Sequence, residues 1–161
     1  MTEATLDSRV RAGTIRPACD ADALALYEIR RLAILAIAPP LMPADLTQRW
    51  AAKHPPEWMN RFLQKRVVWL LECGDEIAGW IGLNGHVVDG LYTSPRWASH
   101  GVGSRLLTFA ETALARQGIA EIHLEASRNA EDFYVKRGYR ASGSRPTVDD
   151  ALPMSKVLKS L

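Results

Sequence analysis

Residues Val87–Glu111, VVDGLYTSPRWASHGVGSRLLTFAE, constrain the fold more tightly than any other stretch of the chain. Val87 to Thr93 is rich in β-formers, Pro95 and Gly101–Val102–Gly103 make a short loop, and an amphipathic helix opens near Ser104. A glycine-bearing loop that runs directly into a helix leaves the first helical N–H groups unpaired and pointing outward. Those donors, together with the positive end of the helix dipole, suit a phosphate. Glycine there lets the backbone approach an anion closely and adopt positive φ. A G-x-G loop is short and common, so alone it indicates a phosphate site and nothing narrower.

The flanking pattern mixes hairpins with crossovers. Thr14–Pro17 reads as a strand, and Asp20 as the N-cap, with Asp22 in the first turn, of a helix from Ala21 to Ala38 closed by Pro39–Pro40. Helices over Ala44–Ala52 and Glu57–Lys65 follow. Val67–Cys73 is a strand, Gly74–Asp75 a turn and Glu76–Leu83 its hairpin partner. Asn84–Gly85 then turns Val87–Thr93 antiparallel beside that partner. Leu106, Leu107, Ala110, Ala113 and Leu114 recur at helical spacing up to Gly118. Glu121–Ala126 alternates as a strand, Asn129–Arg137 is a short helix closed by Gly138, and Tyr139–Ser144 and Leu152–Leu158 are the last strands. The expected fold is α/β (mixed α+β): a central mixed, mostly antiparallel sheet of about six to seven strands with helices on both faces.

With 161 residues, 47% of them hydrophobic, the chain suits one domain, taken as residues 14–161 behind a flexible lead-in at 1–13. A net charge of +2 supplies no broad field for nucleic acid or an anionic membrane. The longest apolar run, Leu32–Met42, is too short and too proline-broken to span a bilayer. Cys19 and Cys73 lack C-x-x-C spacing, so neither a metal nor a disulfide is expected, and reduced thiols point to the cytoplasm.

Downstream of the loop, ASRNAEDFYVKRGYR (Ala126–Arg140) resembles the N-A-x-x-F-Y-x-K-x-G-F signature of GNAT-type N-acetyltransferases. The loop itself is similar to their R/Q-x-x-G-x-G/A acetyl-coenzyme A motif, and the resemblance runs from Thr14 to Leu158. It implies an enzyme that moves an acetyl group from acetyl-coenzyme A to a primary amine, on a small molecule or on a protein N-terminus or lysine, by direct transfer in a ternary complex. It also implies that Ser99, His100, Gly101, Val102, Gly103 and Ser104 hold the diphosphate through backbone donors. Leu91, Tyr92 and Thr93 would pair with the pantetheine arm where Val87–Thr93 and Glu121–Ala126 splay apart, often at a bulge, and Asn129 would bond the arm from the far side. Ala98 stands where the family carries Arg or Gln, which leaves Arg96 or Arg105 to supply the charge.

By the same resemblance, Tyr134 is the proton donor to the departing thiolate. An alkylamine is mostly protonated near neutral pH, so attack requires a base. Glu125 is the first candidate, with an exposed structural carboxylate as its alternative; Asp89 is the second, and His86 and His123 stand behind them. Period-two alternation puts His123 with Glu125 on one strand face, and Asp89, Leu91 and Thr93 together on another. Arg30–Arg31 read as a solvated edge, His54 as a turn residue, Trp50, Trp58 and Trp69 as packing, and Trp97 as a cover for cofactor or interface. In the loop Ser144–Pro153, Asp149–Asp150 could meet a cationic acceptor or form a plain turn. A homodimer is left open. A rival reading keeps the fold and drops the chemistry, as a non-catalytic acyl-coenzyme A-binding regulatory module; another is a nucleotide-binding α/β domain, which would need a parallel sheet.

Overall fold

The computed structural model describes residues 2–37, 41–145 and 150–161, with the backbone alone at residues 3 and 4. Helix α1 (Glu3–Ala12) leads into β1 (Thr14–Pro17), and three helices follow: α2 (Ala23–Leu35), α3 (Ala44–Ala51) and α4 (Trp58–Lys65). A meander of β2 (Val67–Cys73), β3 (Glu76–Asn84) and β4 (Val87–Thr93) then enters α5 (Val102–Arg116). The chain closes with β5 (Glu121–Ala126), α6 (Glu131–Val135), β6 (Arg140–Ala141) and β7 (Leu152–Val157). One seven-stranded sheet results, in the order β1-β2-β3-β4-β5-β7-β6. Every neighbouring pair is antiparallel except β4 with β5. This is the mixed, mostly antiparallel sheet that the hairpin signals predict.

Helices cover both faces because β3 is apolar on both: its residues Ala78 to Leu83 are all buried. On one face α5 buries Val102, Leu106, Leu107, Ala110 and Leu114 against Ile81, Leu83, Ile122 and Leu124. On the other, Leu26 and Tyr27 of α2 and Met59 and Phe62 of α4 pack on Val68, Leu70 and Trp80. Trp80 is fully buried and donates its indole N–H to the Leu26 carbonyl at 3.0 Å, which anchors α2 to the sheet centre. Trp97 also belongs to the core, at 1% exposure, and is not a surface cover. Its indole N–H reaches Glu76 at 3.1 Å. No helix among the described residues is long and apolar enough to cross a membrane.

Several boundaries differ from the sequence reading. The expected lead-in contains α1, because Val10 has a core to enter and Arg9 donates to the Cys73 carbonyl at 3.0 Å while covering the Trp97 ring. The last hairpin is shorter than Tyr139–Ser144, since only Arg140 and Ala141 pair with β7. The proline stop at Pro39–Pro40 lies outside the described residues.

The N-cap of the turn that leads into α2 is Cys19 and not Asp20. Asp22 Oδ2, rather than Asp20, accepts the Cys19 N–H at 2.8 Å, and both Asp22 oxygens take the Arg16 guanidinium at 2.9 Å. Those Arg16 hydrogen bonds outweigh the cost of burial and hold the Asp22 carboxyl at about 2, against an ordinary 3.8. A depressed folded value means stability that is complete above about 3.8 and disappears as the pH falls through about 2. The shift corresponds to about 2 kcal/mol. Urea denaturation at pH 7, 4 and 2 should show Asp22→Asn less stable by about that amount at pH 7, with the gap to wild type closing at pH 2. A gap that stayed constant with pH would remove the ion pair as its cause.

Candidate active site

The seam between β4 and β5 consists of two pairs, Val87↔His123 and Val88↔Leu124. It begins where the His123 N–H meets the His86 carbonyl at 3.0 Å, beside an edge contact of the two imidazoles at 5.2 Å. Beyond Val88 the strands part. The cause lies in the register with β3: Leu83 faces Val88 while Gly82 faces Gly90, so Asp89 is an extra residue in β4. A bulge bends its strand and sharpens the twist, and here it turns Asp89–Thr93 away from β5. Gly90 permits the bend over the central tryptophan, since a Cβ there would sit 2.9 Å from the Trp80 ring. Among the described residues, the edge of β4 from Leu91 to Thr93 therefore has no strand beside it on the β5 side.

The extra residue also breaks the alternation expected for β4. Leu91 packs with the α5-side core, whereas Asp89 and Tyr92 line a cavity on the α2–α4 face. Ile122, Leu124 and Ala126 of β5 face α5, so alternation turns His123 and Glu125 toward the α2–α4 side of the sheet. Asp89 and Glu125 thus share a sheet face and stand one step beyond the last pair of the seam. Asp89 Oδ2 is held by Arg66 Nε at 2.6 Å. Glu125 is exposed, opposite Pro153 of β7, and no described residue forms an ion pair with it.

Past the far end of β4 the chain crosses to α5 through Ser99 and Gly101, both at positive φ (66° and 86°). Gly101 caps the helix, which opens at Val102, two residues earlier than expected, and no side chain caps it. The N–H groups of Val102, Gly103 and Ser104 lie in its first turn, at the positive end of 15 aligned residues. His100 is tied back to α1 through Asp7 Oδ1 at 2.6 Å. Neither arginine expected to replace the charge missing at Ala98 is turned to this loop. Arg96 pairs with Glu76 at 2.6 Å, and Arg105 donates to the Val10 carbonyl at 2.5 Å.

The guanidinium that does reach this loop is that of Arg137. Its guanidinium lies 3.6 Å from the Phe133 ring centroid, donates to the Phe133 carbonyl at 2.7 Å and reaches Ser104 Oγ at 2.8 Å. Sequence reasoning missed it because Arg137 is 33 positions from Ser104 and only the packing of α6 on α5 joins them. Gly103 lets the Phe133 ring come close, 3.2 Å from where a Cβ would stand.

Tyr134, on α6, is 7% exposed and packed between the rings of Phe133 and Tyr139, at 5.1 and 5.4 Å. Burial pushes its phenol well above the ordinary value near 10, nearby Tyr92 adds to the rise, and Arg137 opposes it. Its hydroxyl bonds no described residue and is not among the fully buried side-chain atoms left without a hydrogen bond, so it touches accessible space. Asn129 sits in a single exposed turn, its Oδ1 accepting the Ser127 hydroxyl at 2.7 Å.

The cavity beside Asp89 and Tyr92 measures about 310 Å³, and α2, α4 and the segment between α3 and α4 build its walls. Arg30 is 3% exposed there, not a solvated edge. It donates to the Trp50 and Ala51 carbonyls at 3.2 and 3.4 Å, and its guanidinium lies over the rings of Trp58 and Tyr92 at 5.4 and 5.9 Å. His54 stacks flat on Trp58 at 4.3 Å. Burial lowers the pKa of its imidazole, and Arg30, Lys53 and Arg61 lower it further. A larger depression of about 620 Å³ lies where Gly74 meets α1 and β1, away from the seam. Asp149 is outside the described residues, and Asp150 is held by Arg128 at 3.1 Å and by Arg145 through its carbonyl at 2.7 Å.

Residues 36–158 match the family model described as an acetyltransferase (GNAT) domain. Among solved structures, the chain is similar to a GCN5-related N-acetyltransferase of Rhodopseudomonas palustris, at 25% identity and a TM-score of 0.84 over 91% of this chain and 96% of that one. The PaiA N-acetyltransferase of Thermoplasma acidophilum, solved in complex with coenzyme A, shares the fold at 19% identity and a TM-score of 0.77, with 90% and 98% of the two chains covered. So does the ribosomal-protein-S18-alanine N-acetyltransferase of Escherichia coli, at 18% identity and a TM-score of 0.64, with 92% and 95% covered. No curated protein sequence gives a significant match.

Proposed function

The chain belongs to the acetyltransferase (GNAT) family over residues 36–158, and from that premise we propose that it transfers an acetyl group from acetyl-coenzyme A to a primary amine, directly and within a ternary complex. The observation that carries this reading is the opening of the sheet at Asp89, between a helix N-terminus on one face and a half-open cavity on the other. The local geometry fits the coenzyme. Nothing lies within 4 Å of a Cβ position at Gly101, so a phosphate has room against the loop. Backbone donors from Ser99 to Ser104 would hold the diphosphate, with His100 contributing its backbone and Arg137 its charge. The bare edge of Leu91, Tyr92 and Thr93 would add the pantetheine amides as a partial strand, and Asn129 would close the arm from the other rim.

Glu125, directly or through water, takes the proton that the amine nitrogen loses as its bond to the acetyl carbon forms. Asp89, engaged by Arg66, serves to position that arginine. A backbone N–H of Leu91 or Tyr92 steadies the carbonyl oxygen as charge collects on it. Tyr134 gives the sulfur its proton as the carbon–sulfur bond breaks.

Calorimetric titration with coenzyme A, paired with thiol release from acetyl-coenzyme A across an amine panel, tests the reading. Saturable binding with amine-dependent thiol release is the expected result. Binding without turnover on any amine would favour the regulatory module, and absence of binding would end both.

A further inference from the structure

The cavity on the α2–α4 face has an unusual charge balance. Of the charged side chains lining it, Arg66 and Asp89 neutralise one another at 2.6 Å. Arg30 and Lys53 remain. Arg30 is deeply buried, and no carboxylate among the described residues pairs with it; two carbonyls at 3.2 and 3.4 Å, two aromatic faces and the Tyr92 phenol surround it. Burying a cation without a counter-ion is costly, and backbone dipoles and ring quadrupoles repay only part of that cost. A guanidinium in such a site is completed by an anion, which its planar fork can grip with two parallel hydrogen bonds. Electrostatic influence from Arg30, Lys53 and Arg61 reaches His54, so positive potential extends along the wall. The cavity's volume of about 310 Å³ equals roughly ten water volumes of ~30 Å³, the size of an amino acid. Its lining is mainly polar, with Trp58 and Phe62 contributing the smaller, apolar part.

We propose that the acceptor is a small primary amine that also carries an anionic group, seated against Arg30 and Lys53 with its nitrogen directed past Tyr92 toward the seam. This rests on the acetyltransferase reading and narrows it. Polycationic amines are disfavoured by the same field, and Asp150, which could have received a cation, is already bound by Arg128 and Arg145.

The test measures binding separately from turnover. The protein saturated with coenzyme A is titrated calorimetrically with phenylalanine, phenylalanine amide, O-phosphoethanolamine and spermidine, and each is then assayed with acetyl-coenzyme A. Phenylalanine is expected to bind at least tenfold more tightly than its amide, although the less basic amine of the amide is present to a larger extent as the reactive free base. Tight binding of O-phosphoethanolamine instead would make the anion a phosphate, and spermidine should not bind. Lys53 is exposed, so Lys53→Glu leaves the core untouched. It should cut anion affinity tenfold or more, raise KM for the anionic amine more than it lowers kcat, and leave the coenzyme A affinity in place. Preference for the amide or for spermidine, or an anion preference that survives Lys53→Glu, would overturn the proposal while the acetyltransferase reading stood on thiol release alone.

Discussion

Tyr134→Phe is expected to lower kcat by about a hundredfold to ten-thousandfold, the range lost with a general acid, with little change in coenzyme A affinity or stability. The phenyl ring would keep its contacts with Phe133 and Tyr139, and the hydroxyl has no described partner whose loss would destabilise the fold. Since burial raises the phenol above its ordinary value, Tyr134 stays protonated through the working pH range. A free thiol titrates near ~8.5 and a phenol near ~10, so donation to sulfur is uphill unless it accompanies carbon–sulfur cleavage. Single-turnover thiol release checks the prediction. A variant that retained wild-type kcat would exclude Tyr134 as donor and leave water or Tyr92 to protonate the sulfur.

Gly101→Val should act on binding before chemistry. Gly101 holds φ at 86°, in the left-handed region, and a β-branched side chain pays about 1–2 kcal/mol or more to stay there. The space around it is open, so the strain comes from the backbone alone. If the loop relaxes to negative φ, the donors of Val102 to Ser104 lose their common aim. With about 1.4 kcal/mol per tenfold, coenzyme A affinity should fall five- to thirtyfold, while the buried face of α5 keeps the protein folded. Titration calorimetry and a thermal melt separate the two effects. Unchanged affinity would show that the diphosphate is held elsewhere.

Much of the framework was legible because local chemistry decides it. Gly74–Asp75 and Asn84–Gly85 dictate two hairpins, and the spacing of Leu106, Leu107, Ala110 and Leu114 dictates a helix with one buried face. Helix ends were read less well: Cys19 takes the N-cap position expected of Asp20, and Asp22 closes the capping box while Arg16 of the preceding strand holds its carboxylate. The α1 segment was missed because few of its residues are apolar, and its helix leans on Trp97 and Arg105 from distant parts of the chain. In the site, the motif residues could be named from sequence, but three-dimensional partners could not. The bulge that moves Asp89 off the face of Leu91 arises from register with β3, which one strand's sequence does not encode. Arg137 at Ser104 and the buried Arg30 likewise depend on neighbouring helices packing side by side on one face of the sheet.

The narrow seam divides the sheet into two rafts, β1 to β4 and β5 to β6, stitched by two residue pairs and by the helix that bridges them. A molecule that lies along the gap and bonds to both rims stands in for the missing rungs of the ladder. Occupancy and rigidity then become one equilibrium, so whatever fills the gap also tightens the scaffold around it.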